Sequence, residues 1–439
     1  MRDIGLLLFV LGLLPFAFKR PAIGIYLFTW ISLMNPHRLA YGFAFEFPFA
    51  ALIAGVTLIG MFTSREPKSL PMTPMVVVLI LFMCWMTLTG FSAFEQDSAW
   101  TEWNRVFKTI LMVLVTMAVI SRVEDIKYLA VVIALSLGFY GFKGGVFTIL
   151  TGGHSRVLGP PDTYIGDNND LALALVMTTP LIWYLVSLAP KKWLRYGAIA
   201  LTVLTLAAAA GSYSRGALLA GGAMLTFLWL KSANKARTGV VLLMAVPLLY
   251  LLMPEAWFSR MDSIGDYKQD DSALGRINSW NMAFNIASHN LMGGGYRCFT
   301  PAVFRVWAPE PLNVHAPHSI YFQVLGEHGF IGLALFLLFL FLAWRTGSRV
   351  LKFCKGKPEL QWASGLAAMC QVSLVGYTVG GAFLTLAYYD LLYDIIAILF
   401  ALEKVLILVP AKSKVPKAAD APLAPAVPAA PRKASSSPG

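Results

Sequence analysis

What most constrains this chain is a repeated alternation. Continuous apolar runs of roughly 15 to 25 residues, divided by short polar gaps, recur from Ile4 to Val409. A helix needs roughly 20 apolar residues to cross a bilayer. Hydrophobic residues make up 57% of the 439 and charged residues only 13%, about half the charged share of an ordinary soluble domain. No soluble core could bury so many runs, so lipid is the solvent for most of the chain. Within lipid, backbone polar groups must pair inside the structure, as helices or closed barrels do. The runs do not alternate with period two, which selects helices. The expected fold class is therefore all-α, a polytopic membrane protein with about 12 transmembrane helices and one long extramembrane loop.

Candidate helices fall at about 4–34 (interrupted), 44–62, 73–90, 104–120, 127–150, 168–188, 194–211, 214–230, 238–254, 319–344, 362–385 and 389–409. Pro15 and Lys19-Arg20-Pro21 divide the first stretch. Two crossings there give thirteen helices with the N-terminus outside, and one broken crossing gives twelve. The start lacks a small-residue cleavage site and reads as a retained segment, not a removed signal. Cations collect in alternate gaps: Arg65 with Lys68, Arg122 with Lys127, Lys191 with Lys192 and Arg195, Lys231 with Lys235 and Arg237, and Arg345 through Lys357. The positive-inside rule makes these gaps cytoplasmic. It also accounts for most of the +12 net charge without nucleic acid. The remaining gaps, 91–103, 151–167, 211–214, 255–318 and 386–388, then share the opposite face. The chain divides into N-terminal membrane helices (1–254), a long loop (255–318), C-terminal membrane helices (319–409) and an Ala-, Pro-, Lys- and Ser-rich tail (410–439) expected to be a disordered cytoplasmic extension. Within the loop, Leu274, Ile277, Trp280, Met282, Phe284 and Ile286 have the spacing of an interfacial helix.

Polar motifs gather at the outer face. Gly211-Ser212-Tyr213-Ser214-Arg215-Gly216 is a tight turn before a helix. Ser212 or Ser214 can cap that helix, and its free N–H groups favour an anion. Arg215 adds a planar fork of donors suited to phosphate oxygens; alternatively it solvates the helix end. Pro317-His318-Ser319 opens the helix after the long loop. Neutral imidazole accepts a proton near neutral pH, so His318 is a candidate base, with an interfacial or capping histidine as the alternative. His315 is its rival, and His328 reads as a structural contact inside the bundle. Arg276 is the loop cation best placed to join Arg215 on a diphosphate; Arg260, Arg297 and Arg305 read as solvated. Asp390, at the outer start of the last helix, orients His318, holds an arginine, or caps the helix. Asp167-Asn168-Asn169-Asp170 reads foremost as a cap, and Arg105, Lys108 and Lys143 as snorkelling side chains. Asp262, Asp266, Asp270 and Asp271 lack the ordered spacing of a calcium loop. The histidines lack the i, i+4 pair of a zinc helix, and Cys84, Cys298, Cys354 and Cys370 lack CxxC spacing. No metal or other cofactor is expected.

His318-Ser319, nine residues, then Gly329-Phe330-Ile331-Gly332 resembles the O-antigen ligase signature H[NSQ]x9GxxG. The Ser214-Arg215-Gly216 turn followed by a long loop is similar to the same family, and Gly166 through Leu173 resembles a subgroup of O-glycosylation ligases associated with exosortase systems. The resemblance implies a metal-independent inverting glycosyltransferase of the bacterial inner membrane, working at the periplasmic face. Its donor would be a glycan on undecaprenyl pyrophosphate, and its acceptor a hydroxyl, of lipid A–core in the ligases proper. His318 would match the essential histidine and Arg215 the essential arginine; Arg276 and Asp390 are looser matches. Polymerases and protein O-oligosaccharyltransferases share the architecture. A transporter of the same lipid-linked glycan is the reading from another class, but such proteins commonly carry inverted repeats, and none is visible.

Overall fold

The structure, a computed structural model, describes residues 2–410 apart from 233, 237–238, 241–242, 245–246, 248–249, 251–252 and 263–270. Among these residues it is all-helical, without a strand. The helices are α1 (Arg2–Lys19), α2 (Pro21–Met34), α3 (Phe49–Thr63), α4 (Pro74–Phe91), α5 (Gln96–Val119), α6 (Val123–Leu150), α7 (Asn168–Leu188), α8 (Lys192–Gly211), α9 (Arg215–Lys231), α10 (Glu255–Asp262), α11 (Asp271–His289), α12 (Pro301–Trp307), α13 (Ile320–Cys354), α14 (Gln361–Gly380) and α15 (Asp390–Glu403). Among the described residues six segments are long and apolar enough to cross a membrane: α4, α6, α7, α8, α13 and Pro358–Phe383. Large apolar side chains face outward along the bundle; Phe62 and Leu150 are each 80% exposed. Such a surface suits lipid and not water. At the centre is α15, buried at every position from Leu391 to Glu403, as expected of a helix apolar all round.

The bundle has two chemically different ends. At one, Arg20 pairs with Asp125 at 2.6 Å, Arg122 with Glu66 at 3.3 Å, and Arg349 with Glu403. There too Lys404 Nζ donates to the carbonyls of Met117 and Ala118. At the other end lie the starts of α7, α9, α13 and α15.

Several expected boundaries move. Pro15 sits inside α1, and the break falls at Arg20-Pro21, so the first 34 residues form two helices packed on each other. The gap expected at 91–103 is mostly the first turns of α5. The helix expected at 238–254 lies largely outside the described residues. The interfacial helix expected from Ala273 is α11, and its apolar pattern proves to be two stripes. Met282 and Ile286 are buried, whereas Leu274, Ile277 and Phe284 are exposed.

Gly329 breaks α13, with φ 67° and ψ −171°, a region essentially reserved for glycine. The break frees three carbonyls, and each finds a donor elsewhere, as buried backbone groups must. Gly294 N–H donates to Gly326 O at 2.8 Å, Gly295 N–H to Glu327 O at 2.9 Å, and Trp85 Nε1–H to His328 O at 2.8 Å. Added carbons at Gly293 or Gly329 would collide with the facing backbone. The two glycine segments therefore fasten the 255–318 loop onto α13.

Candidate functional site

His318 ends the loop in the left-handed region, with φ 40°, uncommon for any residue but glycine. Three contacts hold it there. Its N–H donates to Thr385 Oγ1 at 3.1 Å, Trp280 Nε1–H donates to the Pro317 carbonyl at 2.7 Å, and Ser279 Oγ–H donates to the His315 carbonyl at 2.8 Å. Trp280 also stacks on Phe322, centroids 4.9 Å apart. Thus α11 grips the strand of chain that delivers His318 to the start of α13. Ser319 is the N-cap residue of α13 without a side-chain cap bond, so His318 immediately precedes the positive end of that helix.

Electrostatic neighbours define the rest. The His318 imidazole is pushed down to about 4, first by burial, then by the positive charge of Arg276 and by His315, with Asp167 opposing them. Arg276, His315 and Asp167 are thus the charged or titratable neighbours that act on the ring. Asp167 caps α7, accepting from Asn169 N–H at 2.8 Å. The next residue, Asn168, donates through Nδ2 to the Ser212 carbonyl at 2.7 Å, which ties the start of α7 to the 211–216 turn. In that turn Ser214 Oγ accepts from Ala217 N–H, Tyr213 takes φ 63°, and the Tyr213 carbonyl accepts from Arg260 Nε–H at 3.1 Å. Arg215 is the first residue of α9 and is half-buried.

Segment 381–385 joins the two halves. A carbon added at Gly216 would lie 3.2 Å from Phe383 Cβ, and Ile320 packs on Gly381. His318 rests on Thr385. Hence the Arg215 turn and the His318 turn flank one short stretch at one end of the bundle, and Arg276 and Asp167 join them there. This is an imidazole held neutral at pH 7 within the field of the Arg276 guanidinium, on the stretch that the Arg215 turn also packs against, an arrangement suited to accepting a proton next to an anion.

The other candidates are placed as follows. His315 lies over Gly275 and raises the positive potential at His318. The Asp390 carboxylate accepts from Ser32 Oγ–H and, at 2.6 Å, from Thr109 Oγ1–H, which joins α2, α5 and α15. His328 Nδ1 bonds Thr89 Oγ1 at 2.7 Å inside the bundle. Arg297 is exposed, as its sequence context suggests, and also pairs with buried Glu102 at 2.7 Å. Asp266 and Asp270 lie outside the described residues. Among described residues no His, Cys, Asp and Glu group could hold a metal ion.

Sequence reading missed Thr385, Trp280 and the charge of Asp167. A hydroxyl that accepts from a backbone N–H across 67 residues leaves no local pattern. Asp167 carried a signal, but a capping aspartate explains it equally well.

Comparison with known proteins divides the chain. Residues 200–337 match the family described as O-Antigen ligase, and residues 1–189 match a family of unknown function, DUF5935. No curated protein matches. The ligase match spans the Arg215 turn, the long loop and the His318 signature as far as Gly332.

Proposed function

Because the chain belongs to the O-antigen ligase family, we propose that it transfers a glycan from undecaprenyl pyrophosphate to a hydroxyl acceptor at the periplasmic face of the bacterial inner membrane. A lipid A–core sugar is the acceptor the family relation favours. The observation that carries the reading is His318, its imidazole pushed down by burial and by Arg276 and its backbone set on the 381–385 stretch that the Arg215 turn also packs against. The acceptor oxygen attacks the anomeric carbon as the bond to the pyrophosphate breaks. The proton passes to an imidazole nitrogen of His318, and the bonding electrons leave with the pyrophosphate. Arg215, Arg276 and the N-termini of α9 and α13 meet the growing negative charge without a metal. Attack opposite the leaving group inverts the sugar. Asp390 acts by fixing α15 against α2 and α5.

The membrane placement follows the positive-inside rule. The end bearing Arg20, Arg122, Arg349 and Lys404 is cytoplasmic, and His318 is periplasmic. Helices α1 and α2 then run separately in opposite directions, which puts the N-terminus outside, the first of the two arrangements that the sequence allows. Membership of the exosortase-associated subgroup rests on residues 166–173 alone.

The test is transfer by purified protein from a lipid-linked glycan to lipid A–core, to a second lipid-linked glycan, or to a serine-containing peptide, with and without EDTA. Transfer to lipid A–core that persists in EDTA is expected. Transfer only to one of the other acceptors would replace the ligase reading with a polymerase or a protein transferase.

A further inference from the structure

A further guanidinium stands at the same end of the bundle, outside the site just described. Arg105 on α5 lies flat over the Tyr164 ring, 3.5 Å from its centroid. Tyr164 is itself fixed: its hydroxyl donates to Glu102 Oε1 at 2.7 Å, and the other Glu102 oxygen takes Arg297 at 2.7 Å. Glu102 is the natural i, i+3 partner of Arg105 on a helix, but both its oxygens are occupied. The Asp390 carboxylate, one turn further along, is likewise taken by Ser32 and Thr109. Arg105 is exposed and has no hydrogen-bond or ion-pair partner among the described residues; Lys108, one turn on, is also exposed. A cation held this way is pre-organised, since the stack removes rotamer freedom before any ligand arrives.

Position indicates the ligand. Phe91, at the end of α4, and Trp100, Trp103 and Phe107, on the outer turns of α5, form a chain of ring contacts 4.9 to 5.2 Å apart. Such aromatic belts mark the membrane interface. Arg105 lies at that level, where lipid phosphates are found. Tyr164 precedes Asp167 by three residues, and its ring is 6.1 Å from that of Tyr389, so the group adjoins the His318 segment.

We propose that Arg105, braced by Tyr164 and assisted by Lys108, binds the phosphate of a membrane lipid headgroup at a subsite separate from Arg215 and Arg276. The claim rests on the membrane placement and not on the transfer reaction. The test counts undecaprenyl phosphate molecules bound to the full-length protein by native mass spectrometry, with uncharged undecaprenol and inorganic phosphate as comparison ligands. Arg105→Ala should remove one bound lipid per chain. Arg105→Lys, which keeps charge but loses the flat stack, should weaken that lipid about tenfold and serves if the alanine variant does not fold. Tyr164→Phe frees Glu102 to neutralise Arg105 and should also lower affinity. Unchanged stoichiometry and affinity in both Arg105 variants would overturn the proposal. Equal binding of undecaprenol, or inorganic phosphate bound as tightly as the lipid, would overturn it too. Because the readout is binding, a failed transfer assay leaves this test intact.

Discussion

Replacing Gly329 by alanine should unfasten the long loop from α13. The residue sits at φ 67° and ψ −171°, and an added carbon would meet the Leu291 carbonyl oxygen and, at 3.2 Å, the Gly293 nitrogen. Forcing alanine into that backbone region costs about 1–3 kcal/mol. Relief by backing away stretches the bonds from Gly294 and Gly295 to the α13 carbonyls, each worth about 1 kcal/mol. A local loss of about 3 kcal/mol follows, which multiplies the open population about 100-fold. Cys298 reports on it, since it lies three residues after Gly295 and is fully buried. Alkylation followed by mass-spectrometric mapping should show Cys298 reacting about 100-fold faster in Gly329→Ala, with buried Cys370 unchanged in the same molecule. Wild-type protection of Cys298 would refute the reasoning, because the glycine would then not be needed for docking.

Three other outcomes follow. With the His318 imidazole pushed down to about 4, the base is neutral above that pH and protonated below it; kcat/KM, which reports the free enzyme, should fall below pH 4 and not near 6.5. Arg276→Gln removes the largest charge that lowers the imidazole and should move that acid limb upward, which a pH–rate profile measures. Thr385→Val leaves the His318 N–H without its acceptor, a loss of about 1–3 kcal/mol; kcat should fall at least severalfold while membrane insertion, read by fractionation, is unchanged.

The helices were legible because lipid demands length and continuity, and both are written locally. Asn168–Leu188 begins and ends where the apolar run and the Asp167 cap put it. The start of α5 was not legible, because Gln96 to Glu102 carry polar residues that read as a gap, yet Glu102 and Ala99 are buried against the loops. The signature at 318–332 was legible as a pattern, but its two parts do different physical work. The histidine meets the charged groups, whereas Gly329 permits the break that three donors from the loop and α4 then fill. Arg105 read as snorkelling because it lies near an outer helix end, and sequence spacing cannot show that Tyr164 braces it while Tyr164 and Arg297 occupy Glu102. Pairings between residues 44 to 195 positions apart, such as Asn168 with Ser212 and Arg297 with Glu102, have no local trace.

The most direct test of the central claim compares single-turnover glycan transfer by His318→Ala with that by the wild type, alongside binding of the lipid-linked donor to each. If the imidazole takes the acceptor proton, the variant keeps its donor affinity and loses about 10²–10⁴ in rate. A variant that binds the donor and turns over at the wild-type rate would contradict the account.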